Sequence, residues 1–68
     1  MRYAVVIERA NGNYSAYVPD LPGCVATAED VPTVESNIRA AIRFHVNGLI
    51  EDNLPVPEAA AMAAYVEA

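Results

Sequence analysis

Residues 30–50, DVPTVESNIRAAIRFHVNGLI, carry the hydrophobic spacing of one long amphipathic helix. Apolar side chains recur at i, i+3, i+4 and i+7, which places them in one stripe suited to the face of a sheet. The stripe contains Val31, Val34, Ile38, Ala41, Ile42, His45, Val46 and Leu49. Asp30 is a suitable N-cap and Pro32 fits the first turn. Asp52 and Asn53, with Pro55 soon after, are expected to end the helix.

The residues before this helix alternate in the pattern of β-strands. We predict strands over Arg2–Arg9, Tyr14–Val18 and Cys24–Thr27, with Asn11–Asn13 turning the first strand into the second as a hairpin. The first strand is rich in β-branched residues and is expected in the centre of the sheet. Pro19–Gly23 contains two prolines and a glycine, so the chain leaves the ladder there.

The segment after the helix has two possible structures. Pro57 and Glu58 precede a run of alanines with high helix propensity, whereas Ala64–Glu67 has the pattern of a closing strand. Propensity favours a helical turn. A strand beside the first one would instead make the long helix a right-handed crossover, which its length allows. The residues alone leave both open.

Composition restricts the class of protein. With 68 residues the chain holds one domain with a small core, which a second copy would help to stabilise. Cys24 is the single cysteine, so an intramolecular disulfide and a cysteine-based zinc site are excluded, and a cytoplasmic location is expected. A net charge of −5 argues against direct nucleic-acid binding. The longest apolar run, Ala59–Val66, is too short for a membrane span.

The segment YSAYVPDLPGCVAT, residues 14–27, resembles the HicB-like antitoxins, and so do Asn37-Ile38, Ala41-Ile42 and Pro55-Val56-Pro57. The Pro-Asp-Leu-Pro-Gly-Cys loop between two strands is the most specific part of this resemblance, which covers almost the whole chain. It implies an α+β fold of order β-β-β-α-β, partial RNase H-like, in which an antiparallel three-stranded sheet carries one long helix. A short last strand would lie beside the first, which favours a strand near Ala64–Glu67.

The same resemblance implies a function. Members of this family typically neutralise HicA, a small basic toxin that cleaves mRNA. Many of them add a C-terminal DNA-binding domain, whereas here we expect a single HicB-like domain over residues 1–68 without one. We therefore predict an antitoxin-like binding protein. The alternative is a self-associating structural or regulatory domain without a toxin, and the least expected is a degenerate metal-dependent nuclease.

Two groups of residues are candidates for protein contacts. The first combines the loop with neighbouring acids, which could meet a basic toxin surface. It contains Asp20, Leu21, Pro22, Gly23, Glu29 and Asp30. The second is a patch for contact between copies in a homo-oligomer, because Phe44 projects away from the apolar stripe next to two small residues, Ala40 and Gly48.

No catalytic residue, metal site or cofactor is predicted. A two-metal nuclease needs several converging carboxylates, and Glu8, Glu35 and Glu67 form only an incomplete set. His45 lies inside the apolar stripe without a second nitrogen ligand, so we expect a packed histidine that donates to one polar group. Cys24 is expected to be a small buried hydrophobe.

Overall fold

A computed structural model describes all 68 residues and contains three strands and one helix. The strands are β1 (Val6–Ala10), β2 (Asn13–Tyr17) and β3 (Val25–Ala28), followed by the helix α1 (Val31–Glu51). They form an antiparallel sheet in the order β1-β2-β3, and α1 packs across β2 and β3. This architecture confirms the predicted α+β class.

The register of the strands decides which residues enter the core. Ala16 in the central strand lies between Ile7 of β1 and Ala26 of β3, and this row faces the helix. The next row, with Tyr17 in its centre, lies on the opposite face of the sheet. The buried residues between sheet and helix are Ala16, Val18, Leu21, Cys24, Val34, Ile38 and Val46. The core therefore sits between α1 and the β2–β3 half of the sheet.

Both ends of α1 are closed by hydrogen bonds. The Asp30 carboxylate accepts a hydrogen bond of 2.7 Å from the backbone N–H of Thr33, as an N-cap does. At the other end Asn53 adopts a φ of 56°, and the backbone N–H of Leu54 donates to the carbonyl of Leu49 at 2.9 Å. This is a Schellman closure with Asn53 in the left-handed position. The predicted helix is confirmed at both ends.

Two features of the sheet differ from the prediction. The ladder of β1 begins at Val6 rather than Arg2, because Val6 already pairs with Tyr17, the last residue of β2. Residues 2–5 therefore extend past their partner strand. The first strand also lies at the edge of the sheet, and β2 occupies the centre.

The C-terminal segment, residues 54–68, forms neither a helix nor a strand. The strand expected near Ala64–Glu67 is therefore not confirmed, and nothing pairs with the outer edge of β1. The segment is nevertheless held in place. The Tyr3 hydroxyl donates to the carbonyl of Pro57 at 2.6 Å, and the backbone N–H groups of Ala60 and Ala61 donate to Asp20.

Candidate protein-binding site

The loop between β2 and β3 consists of two consecutive β-turns. The backbone N–H of Leu21 donates to the carbonyl of Val18 at 3.1 Å, and that of Cys24 donates to the carbonyl of Leu21 at 3.0 Å. Each turn has a proline, Pro19 or Pro22, in its second position, where the fixed φ of proline fits. The loop conformation is thus largely set by its own sequence.

Gly23 completes the second turn. Its φ of +84° at the third position makes this a type II turn, in which glycine avoids the strain that a side chain would meet. A further hydrogen bond of 3.2 Å, from the N–H of Val18 to the carbonyl of Cys24, closes the base of the loop. The loop therefore presents one defined shape to its surroundings.

Leu21 anchors this loop from the inside. Its side chain is 0% exposed and belongs to the core together with that of Cys24. Burial also raises the pKa of the Cys24 thiol, which makes it a weaker nucleophile at neutral pH. Pro19, Pro22 and Gly23 are exposed on the outside. Of the predicted loop residues, Leu21 thus has no side-chain surface to offer a partner.

Asp20 is occupied by the chain itself. Its Oδ2 accepts hydrogen bonds from the backbone N–H groups of Ala60 at 3.1 Å and Ala61 at 3.0 Å. This contact brings Glu58, which is exposed, to the neighbourhood of the loop. Sequence reasoning did not single out Glu58. Its only signal was its position directly after the Pro55-Val56-Pro57 motif, since the contact itself joins residues 40 positions apart.

The structure does not bring the predicted acids together. Glu29 and Asp30 follow β3, whereas the loop precedes it, so the two groups lie at opposite ends of this four-residue strand, which is roughly 13 Å long. Asp30 serves as the helix cap, and hydrogen bonding to Thr33, through its side chain and its backbone N–H, lowers the pKa of the Asp30 carboxyl. Glu29 is exposed. We therefore define the loop surface as Pro19, Pro22, Gly23 and Glu58.

The second predicted patch lies on the outer side of α1. Ala40 and Phe44 are exposed, Phe44 to 84%. A Cβ added to Gly48 would meet no atom within 4 Å, so the helix surface beside this glycine is open. The three residues are spaced by four and share one face of the helix. The structure thus brings this predicted group together.

The residues considered for catalysis are scattered. No group of three or more histidine, cysteine, aspartate or glutamate side chains is close enough to hold a metal ion. Glu8 belongs to β1, Glu35 to the first half of α1 and Glu67 to the C-terminal segment. His45 is half-buried and makes no side-chain hydrogen bond, so the expected donation to a polar group is absent. The single helix, α1, is not long and apolar enough to cross a membrane.

The fold and the candidate site thus define a small α+β domain that carries an exposed loop of defined conformation. The family model described as "HicB_like antitoxin of bacterial toxin-antitoxin system" matches residues 3–68. The chain therefore belongs to the HicB-like antitoxin family, which confirms the resemblance found in its loop and helix.

Three relatives show how widely this sequence pattern occurs. An uncharacterised 14.9 kDa protein of Haemophilus phage HP1 is 33% identical over 66 residues, which are 97% of this chain and 50% of the phage protein. A UPF0150 protein of Synechocystis is 33% identical over 57 residues, covering 82% of the chain and 72% of the relative. A UPF0150 protein of Thermoplasma acidophilum is 34% identical over 58 residues, which are 84% of this chain and 84% of the relative. The chain spans about half the length of the phage relative.

Proposed function

We propose that this chain is the antitoxin of a toxin–antitoxin pair and that it neutralises a basic, mRNA-cleaving toxin of the HicA type by direct contact through the loop surface. The observation that carries the proposal is the loop itself, whose two turns and buried Leu21 hold Pro22 and Gly23 outward in a fixed conformation. A preorganised loop loses little conformational entropy on binding, so more of its contact energy remains as affinity.

The distribution of charge supports a basic partner. The chain has a net charge of −5, and three of its four arginines line one groove, Arg39 and Arg43 from α1 and Arg2 from the N-terminal segment. Glu58 at the loop surface is exposed. Complementary charge accelerates the encounter of two proteins and fixes their orientation.

Occupation of the toxin surface is sufficient for this function. A protein that covers the substrate-binding face of a ribonuclease inhibits it without chemistry of its own. We therefore propose no catalytic step and no cofactor for this chain. Neutralisation would take place in the cytoplasm, where the toxin meets mRNA.

The test is complex formation with a HicA-type protein, which should be sought as a small basic open reading frame next to this chain's gene. Purified separately and mixed at low salt, the two proteins should form a complex that protects an RNA substrate from cleavage. Association should slow as salt is added, because screening weakens the attraction between exposed charges. Absence of binding at low salt would contradict the proposal, and so would binding without protection of RNA.

A matched pair of variants locates the contact. Glu58→Arg and Glu29→Arg change the net charge by the same amount, but only Glu58 lies at the loop surface. We expect Glu58→Arg to slow association by about three- to ten-fold at low salt and Glu29→Arg to have a much smaller effect. Equal effects would indicate attraction by net charge alone, and a larger effect at Glu29 would place the toxin at the opposite end of β3.

Self-association without a toxin is the second candidate function, and the exposure of Phe44 on α1 favours it. The small residues Ala40 and Gly48, one turn before and one turn after this aromatic side chain, would let a second helix approach closely. If this face joins copies of the chain, Phe44→Glu should convert an oligomer into single chains in light scattering. An unchanged mass would exclude this face as the interface.

A further inference from the structure

The helix leaves one strip of the sheet uncovered. Between α1 and β1, with residues 2–5 that precede it, runs an open groove of about 520 Å³. Val5, Ile7 and Ile42 contribute to its apolar floor. Ile7 is 36% exposed, although Ala16, its neighbour in the same cross-strand row, is 1% exposed. The inner face of β1 is thus built for burial but has no covering layer.

The rim of this groove is cationic. It includes Arg2, Arg39 and Arg43, with Glu35 as the opposing charge, in a chain that is otherwise strongly acidic. None of these arginines takes part in a side-chain hydrogen bond of the structure. An apolar floor with free guanidinium groups along its edge suits an apolar segment that carries negative charge.

Residues 62–68, which we call the tail, have this chemistry. Met62 is 91% exposed, Tyr65 101% and Val66 85%, which is unusual for side chains of this size. The tail also contains Glu67 and no basic residue. In an extended conformation Met62 and Val66 point to the same side, so both could enter one apolar groove.

We propose that the tail of one copy of this chain occupies the groove of a second copy, and that the exchange is reciprocal. In a single copy Met62, Tyr65 and Val66 stay exposed, although residues 61–63 already lie beside Arg2 and Ala4 near the groove. The outer edge of β1 is unpaired and can accept an added strand. Two identical contacts related by a two-fold axis close the assembly as a dimer and enlarge a small core.

An exchange of charges between the two surfaces tests this proposal. The groove variant, Arg39→Glu with Arg43→Glu, and the tail variant, Glu67→Arg, should each be monomeric, since each places like charges opposite one another. An equimolar mixture should form a heterodimer, because both of its contacts again join opposite charges. Light scattering of the full chain at about 100 μM measures the masses. A monomeric wild-type chain, or a mixture that stays monomeric, overturns the proposal.

A second set of variants tests the apolar part of the contact. Met62→Glu with Val66→Glu should also give a monomer, and its circular dichroism should match that of the wild type because both side chains are exposed in the single chain. Phe44→Glu serves as the control on another face and should leave the dimer intact. Dissociation by Phe44→Glu, with the tail variants still dimeric, would assign the interface to the outer side of α1 instead.

Discussion

The Asp20 carboxylate lies 3.0 Å from the backbone nitrogen of Ala61 and accepts its N–H, so a residue of the β2–β3 loop holds a segment 41 positions further along the chain. The same oxygen accepts from Ala60 at 3.1 Å. These bonds explain how the C-terminal segment stays against the loop without secondary structure. They also tie the segment that carries Glu58 to the β2–β3 loop.

Replacing Asp20 by alanine should release this segment. Loss of two hydrogen bonds to a partly exposed carboxylate is expected to lower the free energy of unfolding by about 1 kcal/mol. Hydrogen exchange at the amides of Ala60 and Ala61 should accelerate, while exchange in α1 stays close to that of the wild type. Glu29→Ala removes an exposed carboxylate without these bonds and serves as the control. Unchanged exchange at residues 60 and 61 would contradict the role of Asp20.

Two glycine substitutions should have effects of opposite sign. A Cβ would meet no atom within 4 Å at either Gly23 or Gly48, so only the backbone distinguishes them. Gly23 has a φ of +84°, and Gly23→Ala should destabilise the chain by about 1 kcal/mol or more. Gly48 lies inside α1, and Gly48→Ala should stabilise it by up to about 1 kcal/mol. Urea unfolding at low protein concentration measures both, and the same sign for both would refute this explanation.

Leu21 should contribute more to stability than the larger Phe44. Leu21 is 0% exposed, so Leu21→Ala leaves a cavity and should cost about 2–5 kcal/mol, a large part of the stability of so small a domain. Phe44 is 84% exposed, and Phe44→Ala should change the free energy of unfolding by less than about 0.5 kcal/mol. Thermal unfolding at low concentration compares them. Similar losses in both variants would show that the loop is not anchored as described.

The Asp30 cap should make stability depend on pH in acid. Hydrogen bonding to Thr33 lowers the pKa of Asp30 in the folded chain, so the ionised carboxylate stabilises the fold at pH values above the ordinary aspartate range. This contribution should disappear as the pH falls through the lowered pKa of the folded state. Asp30→Asn keeps a capping oxygen but cannot titrate, so its stability should fall less steeply in acid than that of the wild type. Parallel curves for the two proteins would contradict this role.

Sequence patterns predicted the elements whose determinants are local. The cap at Asp30, the end of the helix near Asn53 and the departure from the ladder at Pro19–Gly23 each depend on residues within a few positions, and all form as their residue types indicate. The position of β1 at the sheet edge was missed because it depends on whether a distant segment supplies a partner strand. The Asp20–Ala60 contact was missed for the same reason.

The sequence predicted the loop of the candidate site but not the contacts of its acidic residues. The loop stands out in the sequence, but composition cannot show that Asp20 is engaged by the chain, or that Glu29 and Asp30 lie at the far end of β3. Grouping acids by their nearness in sequence overlooks the length of the strand between them, since the four residues of β3 span roughly 13 Å. The predicted strand over Cys24–Thr27 already implies this separation, because an extended strand holds its two ends apart.

Because Leu21 secures the β2–β3 loop through the core, the fold and the proposed contact surface depend on different side chains. Exchanges at Glu58 would alter what an approaching protein meets, while Pro19, Pro22 and Gly23 keep the turns and the buried leucine keeps the loop in place. Relatives could diverge in the partners they meet without losing the ability to fold, and a new specificity could be engineered at this position while the loop itself is left unchanged.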